Sequence, residues 1–240
     1  MVVRGLASLA LAAFVAALAA SGPPVHAGSA RSGWDGCTAR AGDLRFRASD
    51  GTQLVGHRFG HGQTAVVLAH MTPGDMCQWA PYARRLAKLG YLALAIDLRN
   101  HGQSQRRAIG ADRGYGMDVA AGAKLVRRLG ARKVFLIGAS IGGSAVLAGG
   151  TRTGVDGVVS VSGAADLADA IDLVPQLHAP VLFLAGRFDV DFANDAKRLY
   201  DATGSADKTL KILNRGEHGT QLVGSSPAAR RLIEGFIRSD

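Results

Sequence analysis

The sequence predicts an α/β fold, with an open and mostly parallel sheet that carries helices on both faces. Short continuous apolar runs recur along the chain, and such runs are typical of strands buried on both faces. Amphipathic helical patterns lie between them, and this alternation favours a parallel sheet with right-handed crossovers. The chain has 240 residues, of which 48% are hydrophobic, so it is long enough to bury such a core in one domain.

The N-terminal segment, residues 1–27, has the pattern of a secretory signal peptide. Arg4 is its only charged residue, and the apolar stretch over 5–20 is shorter than the roughly 20 residues needed to span a bilayer. We therefore expect cleavage after this segment, a linker over 28–42 and a folded domain over 43–240. The expected protein is secreted or periplasmic, without a stable membrane anchor.

Export would place both cysteines, Cys37 and Cys77, in an oxidising compartment. They are the only available intramolecular pair, and either a disulfide between them or two separate thiols fits the sequence. Because neither belongs to a Cys-x-x-Cys or Cys/His cluster, the sequence predicts no metal site.

The formal net charge is +9, from 28 Lys and Arg against 19 Asp and Glu. The basic residues occur as scattered pairs, not as one run interleaved with aromatic residues, so we expect solvated helix faces and no nucleic-acid partner. These pairs are Arg84-Arg85, Arg106-Arg107, Arg127-Arg128 and Arg230-Arg231.

The predicted elements begin with an antiparallel hairpin around the turn Asp50-Gly51, between apolar residues at 44–46 and 54–59. Buried strands are then predicted from their apolar runs, and helices from apolar residues that recur on one face. The strands lie at 65–69, 92–96, 134–137, 158–161, 181–184 and 210–213. The helices lie at 79–89, 117–129, 193–200 and 227–237, with another directly after residue 140.

A serine stands between the strand at 134–137 and the helix that follows it, in the pattern Gly138-x-Ser140-x-Gly142. A serine at such a sharp turn adopts strained backbone angles that lift its hydroxyl above the sheet, while the glycines let strand and helix pack closely. The amide of Ile141 begins the helix, where unpaired donors can stabilise an oxyanion.

A nucleophilic serine needs a general base and a group that orients this base. Asp189 follows the next-to-last strand and His218 follows the last, so both reach the same sheet edge as the serine. Asp191 and Asp166 are alternatives for the acid. His70 and His101 are further histidines in loops, for which we favour structural roles.

These residues resemble the α/β-hydrolases with a serine nucleophile. Residues 68–75 are similar to the family's oxyanion loop, and 96–104 to its Asp-x-Arg-Gly-x-Gly-x-Ser segment. The family's glycines are replaced by Met71 and Asn100. The resemblance implies that Thr72 or Met71 supplies the second oxyanion amide; Thr72 aligns better.

The resemblance further implies a serine hydrolase that cleaves carboxylic esters of a small-molecule acyl substrate through Ser140, His218 and Asp189, with no metal or organic cofactor. Amide, thioester or lactone substrates suit the same triad. A haloperoxidase-like side reaction and a non-catalytic binding protein of the same fold are weaker alternatives. Fluorophosphonate labelling discriminates the last, because a binding module would not react.

The connection over 162–180, where many α/β-hydrolases insert a lid, is long enough for only one short helix. We therefore expect no cap domain and an open, shallow active site. Substrate selection would then depend on the loops at 71–79, 106–115 and 188–192.

Overall fold

The computed structural model describes residues 43–107 and 114–239. Its strands form one sheet with the spatial order β1-β2-β4-β3-β5-β6-β7-β8, in which β3 to β8 run parallel and the first two strands pair antiparallel. This confirms the predicted open, mostly parallel sheet. The strands are β1 (Leu44–Arg47), β2 (Gln53–Phe59), β3 (Thr64–Ala69), β4 (Leu92–Asp97), β5 (Lys133–Ala139), β6 (Gly157–Val161), β7 (Val181–Gly186) and β8 (Lys208–Leu213).

Helices cover both faces of the sheet, as predicted. One apolar core joins α2, α3 and α5 to one face, and a second core joins α1, α6 and α7 to the other. The helices are α1 (Ala80–Lys88), α2 (Tyr115–Arg128), α3 (Ile141–Gly150), α4 (Ala170–Leu173), α5 (Val190–Ala202), α6 (Gly219–Ser225) and α7 (Pro227–Ser239).

The short elements that were not predicted include α6 and a 3-10 turn at Met76–Trp79. The sequence of α6 contains two glycines and two β-branched residues, so its intrinsic helix propensity is weak. Its stability comes instead from burial of Leu222 and Val223 in the core.

The connection between β6 and β7 contains only α4 and a 3-10 turn at Val174–Gln176. No cap domain is therefore inserted there, as expected. Within the described ranges no helix is long and apolar enough to cross a membrane. The predicted signal peptide, the linker and Cys37 lie outside the described residues.

Candidate active site

Ser140 lies at the sharp turn between β5 and α3. Its backbone angles are φ 52° and ψ −119°, a strained conformation for a residue with a side chain. The Ser140 amide donates to the carbonyl of Val161 at the end of β6, at 2.9 Å, which holds the turn against the neighbouring strand. The predicted strained serine is thus confirmed.

The glycines on either side of this turn allow a very close packing of the backbone. A Cβ atom at Gly138 would lie 2.0 Å from the carbonyl oxygen of Gly142, and one at Gly142 would lie 2.3 Å from that of Ala69. No side chain fits at either position, so the Gly-x-Ser-x-Gly spacing follows from steric contact of strand, turn and helix.

Asp189 and His218 form a hydrogen-bonded pair at the carboxyl edge of the sheet. Nδ1 of His218 lies 2.8 Å from Oδ2 of Asp189, and both side chains are largely buried. The ring of Phe192 packs on the imidazole with a centroid separation of 4.1 Å. Of the alternative acids, Asp166 instead pairs with Arg198 at 3.0 Å.

Gly219, which directly follows His218, packs against the serine turn and so brings the Asp189–His218 pair close to Ser140. A Cβ atom at Gly219 would lie 3.8 Å from the Ser140 amide nitrogen, so the loop of His218 packs directly against the turn. In the described part of the chain no hydrogen bond joins the Ser140 hydroxyl to His218. Such bonds are often long without substrate and tighten in the reacting complex.

Ser162 is a positioning residue that the sequence did not indicate. Its hydroxyl accepts from the amide of Gly219 at 3.2 Å and so anchors the loop of His218 to the end of β6. Ser162 is buried and has a φ of 47°, a conformation that its side chain tolerates poorly. The only available signal was its place directly after a buried strand.

The two candidate amides of the oxyanion loop, those of Met71 and Thr72, differ in their hydrogen bonding. The Met71 amide donates to Oε1 of Gln78 at 3.0 Å. The amides of Thr72 and Ile141, in contrast, have no hydrogen-bond partner among residues 43–107 and 114–239. Of the two alternatives for the second donor, Thr72 is thus the one whose N–H is available.

The two departures from the family pattern are both accommodated. Asn100 adopts a left-handed φ of 69°, which asparagine tolerates better than most residues. Met71 is not among the described residues with positive φ, so its replacement of glycine costs no backbone strain.

The histidines at 70 and 101 both bond to the backbone. The buried ring of His70 accepts from the amide of Leu98 through Nε2 at 3.1 Å and donates to the Met71 carbonyl through Nδ1 at 3.0 Å. Burial lowers the pKa of His70 to about 4, so its ring is neutral at neutral pH. His101 contacts the Arg99 carbonyl and, through Nε2, the Thr72 hydroxyl at 3.1 Å.

Buried acidic groups support the loops around these histidines. Asp97 accepts from the amides of Met76 and Gln103 at 2.8 and 2.7 Å, and burial raises its pKa to about 6. Arg99 forms a two-pronged pair with the buried Asp118, with the shortest contact at 2.7 Å. The segment after β4 is therefore tied both to the oxyanion loop and to α2.

Apolar side chains lie exposed beside the Asp189 and His218 pair. Phe188 and Val190, on either side of Asp189, are 65% and 60% exposed. They belong to the loop at 188–192, one of the three expected to select substrate. Part of a second such loop, residues 108–113, lies outside the described residues.

Comparison with known proteins gives both a family match and related structures. Residues 60–175, just under half of the chain, match the family model described as Serine aminopeptidase, S33. The non-heme haloperoxidase of Rhodococcus erythropolis is 35% identical over 100 residues, which are 41% of this chain and 35% of that protein. The match thus spans about a third of the length of this curated relative.

Solved structures share the fold over most of the chain. The esterase Pf2001 of Pyrococcus furiosus superposes with a TM-score of 0.71 at 17% identity, covering 82% of this chain and 91% of that one. The enol-lactonase of Burkholderia xenovorans LB400 superposes with a TM-score of 0.66 at 16% identity, covering 80% of this chain and 99% of that one. The esterase RhEst1 of Rhodococcus sp. ECU1013 superposes with a TM-score of 0.65 at 20% identity, covering 83% of this chain and 99% of that one.

At these identities the structural likeness shows the fold. Three observations point to the same fold: the superposition on these structures, the serine turn between β5 and α3, and the match of residues 60–175 to the family model. The chain therefore has the α/β-hydrolase fold.

Proposed function

We propose that this protein is a serine hydrolase that cleaves carboxylic esters, with Ser140 as nucleophile, His218 as general base and Asp189 as the acid that orients it. The observation that carries this proposal is the Asp189–His218 hydrogen bond at the sheet edge where the strained serine turn lies. Nucleophile, base and orienting acid together are the arrangement that acyl transfer requires.

The mechanism follows from the roles of these groups. The Ser140 hydroxyl attacks the ester carbonyl while Nε2 of His218 takes its proton, and His218 returns this proton to the leaving alcohol. A water molecule then attacks the acyl-enzyme, losing a proton to His218, and Ser140 is released with its proton restored. Asp189 accepts from Nδ1–H throughout, which leaves Nε2 free to accept a proton.

The negative charge of the tetrahedral intermediate requires donors that are already in place. The amides of Ile141 and Thr72 are free of protein partners among the described residues and suit this role. Loss of one such donor costs about 3 kcal/mol of transition-state stabilisation in enzymes of this mechanism. The Met71 amide, which donates to Gln78, is not needed as a donor in this mechanism.

The same groups suit other acyl substrates. Amides, thioesters and lactones present the same carbonyl to Ser140, and one structural relative is an enol-lactonase. The connection between β6 and β7 lacks a cap, which favours an open site and small acyl substrates over substrates enclosed by a lid.

The direct test is hydrolysis of a short p-nitrophenyl ester by the parent protein and by Ser140→Ala. We expect the variant to lose at least about 10⁴-fold in kcat with unchanged unfolding temperature. Ser239→Ala, near the end of α7, is the matched control and should keep full activity. Activity retained by Ser140→Ala would refute the proposed nucleophile.

We also propose that the protein is exported after removal of residues 1–27. Sequencing of the mature N-terminus from the culture medium or periplasm tests this, with residue 28 expected first. The Cys37–Cys77 disulfide stays a prediction, and a mass increase of about two protons upon reduction would support it. Uncleaved protein in the cytoplasm would contradict the export proposal.

A further inference from the structure

We propose that Gln78 is a positioning residue for catalysis, which holds the loop segment that carries the oxyanion amide of Thr72. This inference rests on the proposed function, because it gives Gln78 a role only if Thr72 stabilises an oxyanion. Neither the Gly-x-Ser-x-Gly pattern nor the oxyanion-loop resemblance includes Gln78.

The side-chain amide of Gln78 spans the residue on which the oxyanion depends. Its Oε1 accepts from the Met71 amide at 3.0 Å, and its Nε2 donates to the Pro73 carbonyl at 2.9 Å. One side chain therefore fixes one backbone polar group in each of the two residues that flank Thr72. The Thr72 N–H is left without a hydrogen-bond partner among the described residues, as an oxyanion donor must be.

Gln78 is itself firmly placed. It lies in the 3-10 turn Met76–Trp79, whose start is held by Asp75, which accepts from the Cys77 amide, and by Asp97, which accepts from the Met76 amide. The 3-10 turn thus connects the side chain of Gln78, and its two hydrogen bonds to Met71 and Pro73, to Asp97 at the end of β4.

The loop backbone is shaped to receive this side chain. Gly74 has a φ of 155°, and a Cβ atom there would lie 2.0 Å from Nε2 of Gln78. On the far side of the turn, the Trp79 indole donates to the Ala69 carbonyl at 2.8 Å. The glutamine amide therefore packs closely against Gly74, where any larger residue would displace it.

The two hydrogen bonds of Gln78 affect catalysis because an amide donor stabilises a transition state only if it is oriented beforehand. A displacement of about 1 Å in a reacting group can lower the rate about 10²-fold. The loop carries Met71 where the resembled family pattern has glycine, and the Met71 amide donates to Gln78. Gln78 thus fixes the backbone on both sides of Thr72 and occupies the amide of Met71, the alternative donor.

The test compares Gln78→Met, which keeps the length but makes neither hydrogen bond, with Gln78→Glu, which can accept from Met71 but cannot donate to Pro73 when ionised. Both should lower kcat for a p-nitrophenyl ester by about 10- to 100-fold, with KM changed less than about twofold. Gln176→Met, at an exposed position in the turn before β7, is the control and should match the parent.

A second readout separates positioning from simple packing. Phosphonylation of Ser140 by a fluorophosphonate uses the same oxyanion donors, so its rate should fall in parallel with kcat, while the unfolding temperature of Gln78→Glu stays within a few degrees of the parent. Parent-like kcat in both variants, or a loss confined to KM, would overturn the role of Gln78 alone.

The remaining outcomes are also decisive. If neither Gln78 variant folds, Gln78 is a determinant of stability and the proposal is wrong. A parent protein with neither esterase activity nor labelling of Ser140 would overturn the proposed function, and the role of Gln78 with it.

Discussion

Nδ1 of His218 lies 2.8 Å from Oδ2 of Asp189, and the two residues follow adjacent parallel strands, β8 and β7. Because the carboxyl ends of these strands meet at one edge of the sheet, residues 29 apart in sequence form a direct hydrogen bond. The bond places the proton of the neutral imidazole on Nδ1 and leaves Nε2 as an acceptor. The catalytic predictions below depend on this tautomer.

Replacing the acid should impair catalysis without loss of fold. In Asp189→Asn the amide NH₂ can donate to Nδ1 of His218, which moves the imidazole proton to Nε2 and gives the wrong tautomer, so kcat should fall about 10⁴-fold with little change in KM. Steady-state kinetics on a p-nitrophenyl ester measures this. Asp191→Asn, at an exposed position in the first turn of α5, is the control, and an equal loss in both would contradict the assignment.

The exposed ring of Phe188 should contact the acyl or alcohol part of larger substrates. We expect Phe188→Ala to raise KM about tenfold for a p-nitrophenyl ester of medium chain length and to leave the acetate ester nearly unaffected, because only the longer chain reaches apolar surface. An ester series of increasing acyl length checks this. Ile212→Ala, exposed on the edge strand β8, should alter no substrate.

Two glycine-to-alanine substitutions should act in opposite directions on stability. A Cβ at Gly142 meets backbone oxygens at 2.3 and 2.5 Å, so Gly142→Ala should lower the free energy of unfolding by about 3 kcal/mol. At Gly235, inside α7, a Cβ meets nothing within 4 Å, and alanine should add about 0.5–1 kcal/mol. Urea unfolding of both variants distinguishes steric from propensity effects.

The buried ring of His70 should make stability depend on pH. Its folded-state pKa is about 4, lowered by burial, whereas the unfolded chain protonates near pH 6.5. The contribution is therefore fully present above pH 6.5 and is lost as pH falls towards 4, by about 3 kcal/mol in total. His70→Asn should be less stable at pH 7.5, and its stability should fall less steeply between pH 6.5 and 4.

A parallel pH slope in the parent and in His70→Asn would contradict this account. The comparison between the two proteins is essential because Asp97, whose pKa is raised to about 6, acts in the opposite direction over the same range. Subtracting the two stability curves removes the contribution of Asp97, which both proteins share.

Much of the fold was predictable because its signals are local. The parallel strands are continuous apolar runs such as that in β5, and the turn at Ser140 needs glycines at fixed offsets for steric reasons. The pairing of Asp189 with His218 was also predictable, since strand order alone brings both loops to one edge.

Other features depend on contacts between distant segments. The choice between Met71 and Thr72 as donor could not be made from sequence, because it depends on which amide Gln78 occupies. The hydroxyl of Ser162, which anchors Gly219 from 57 residues away, gave no local signal. Helix α6 was missed because its burial, and not its propensity, stabilises it.

The measurement that tests the central claim most directly is site-resolved labelling by a fluorophosphonate, followed by peptide mass spectrometry. We expect one phosphonyl group on Ser140 in the parent, labelling at least about 10³-fold slower in His218→Ala, and none in Ser140→Ala. Phosphonylation of another residue, or equal labelling of the parent and His218→Ala, would contradict a Ser140 nucleophile activated by the His218–Asp189 pair.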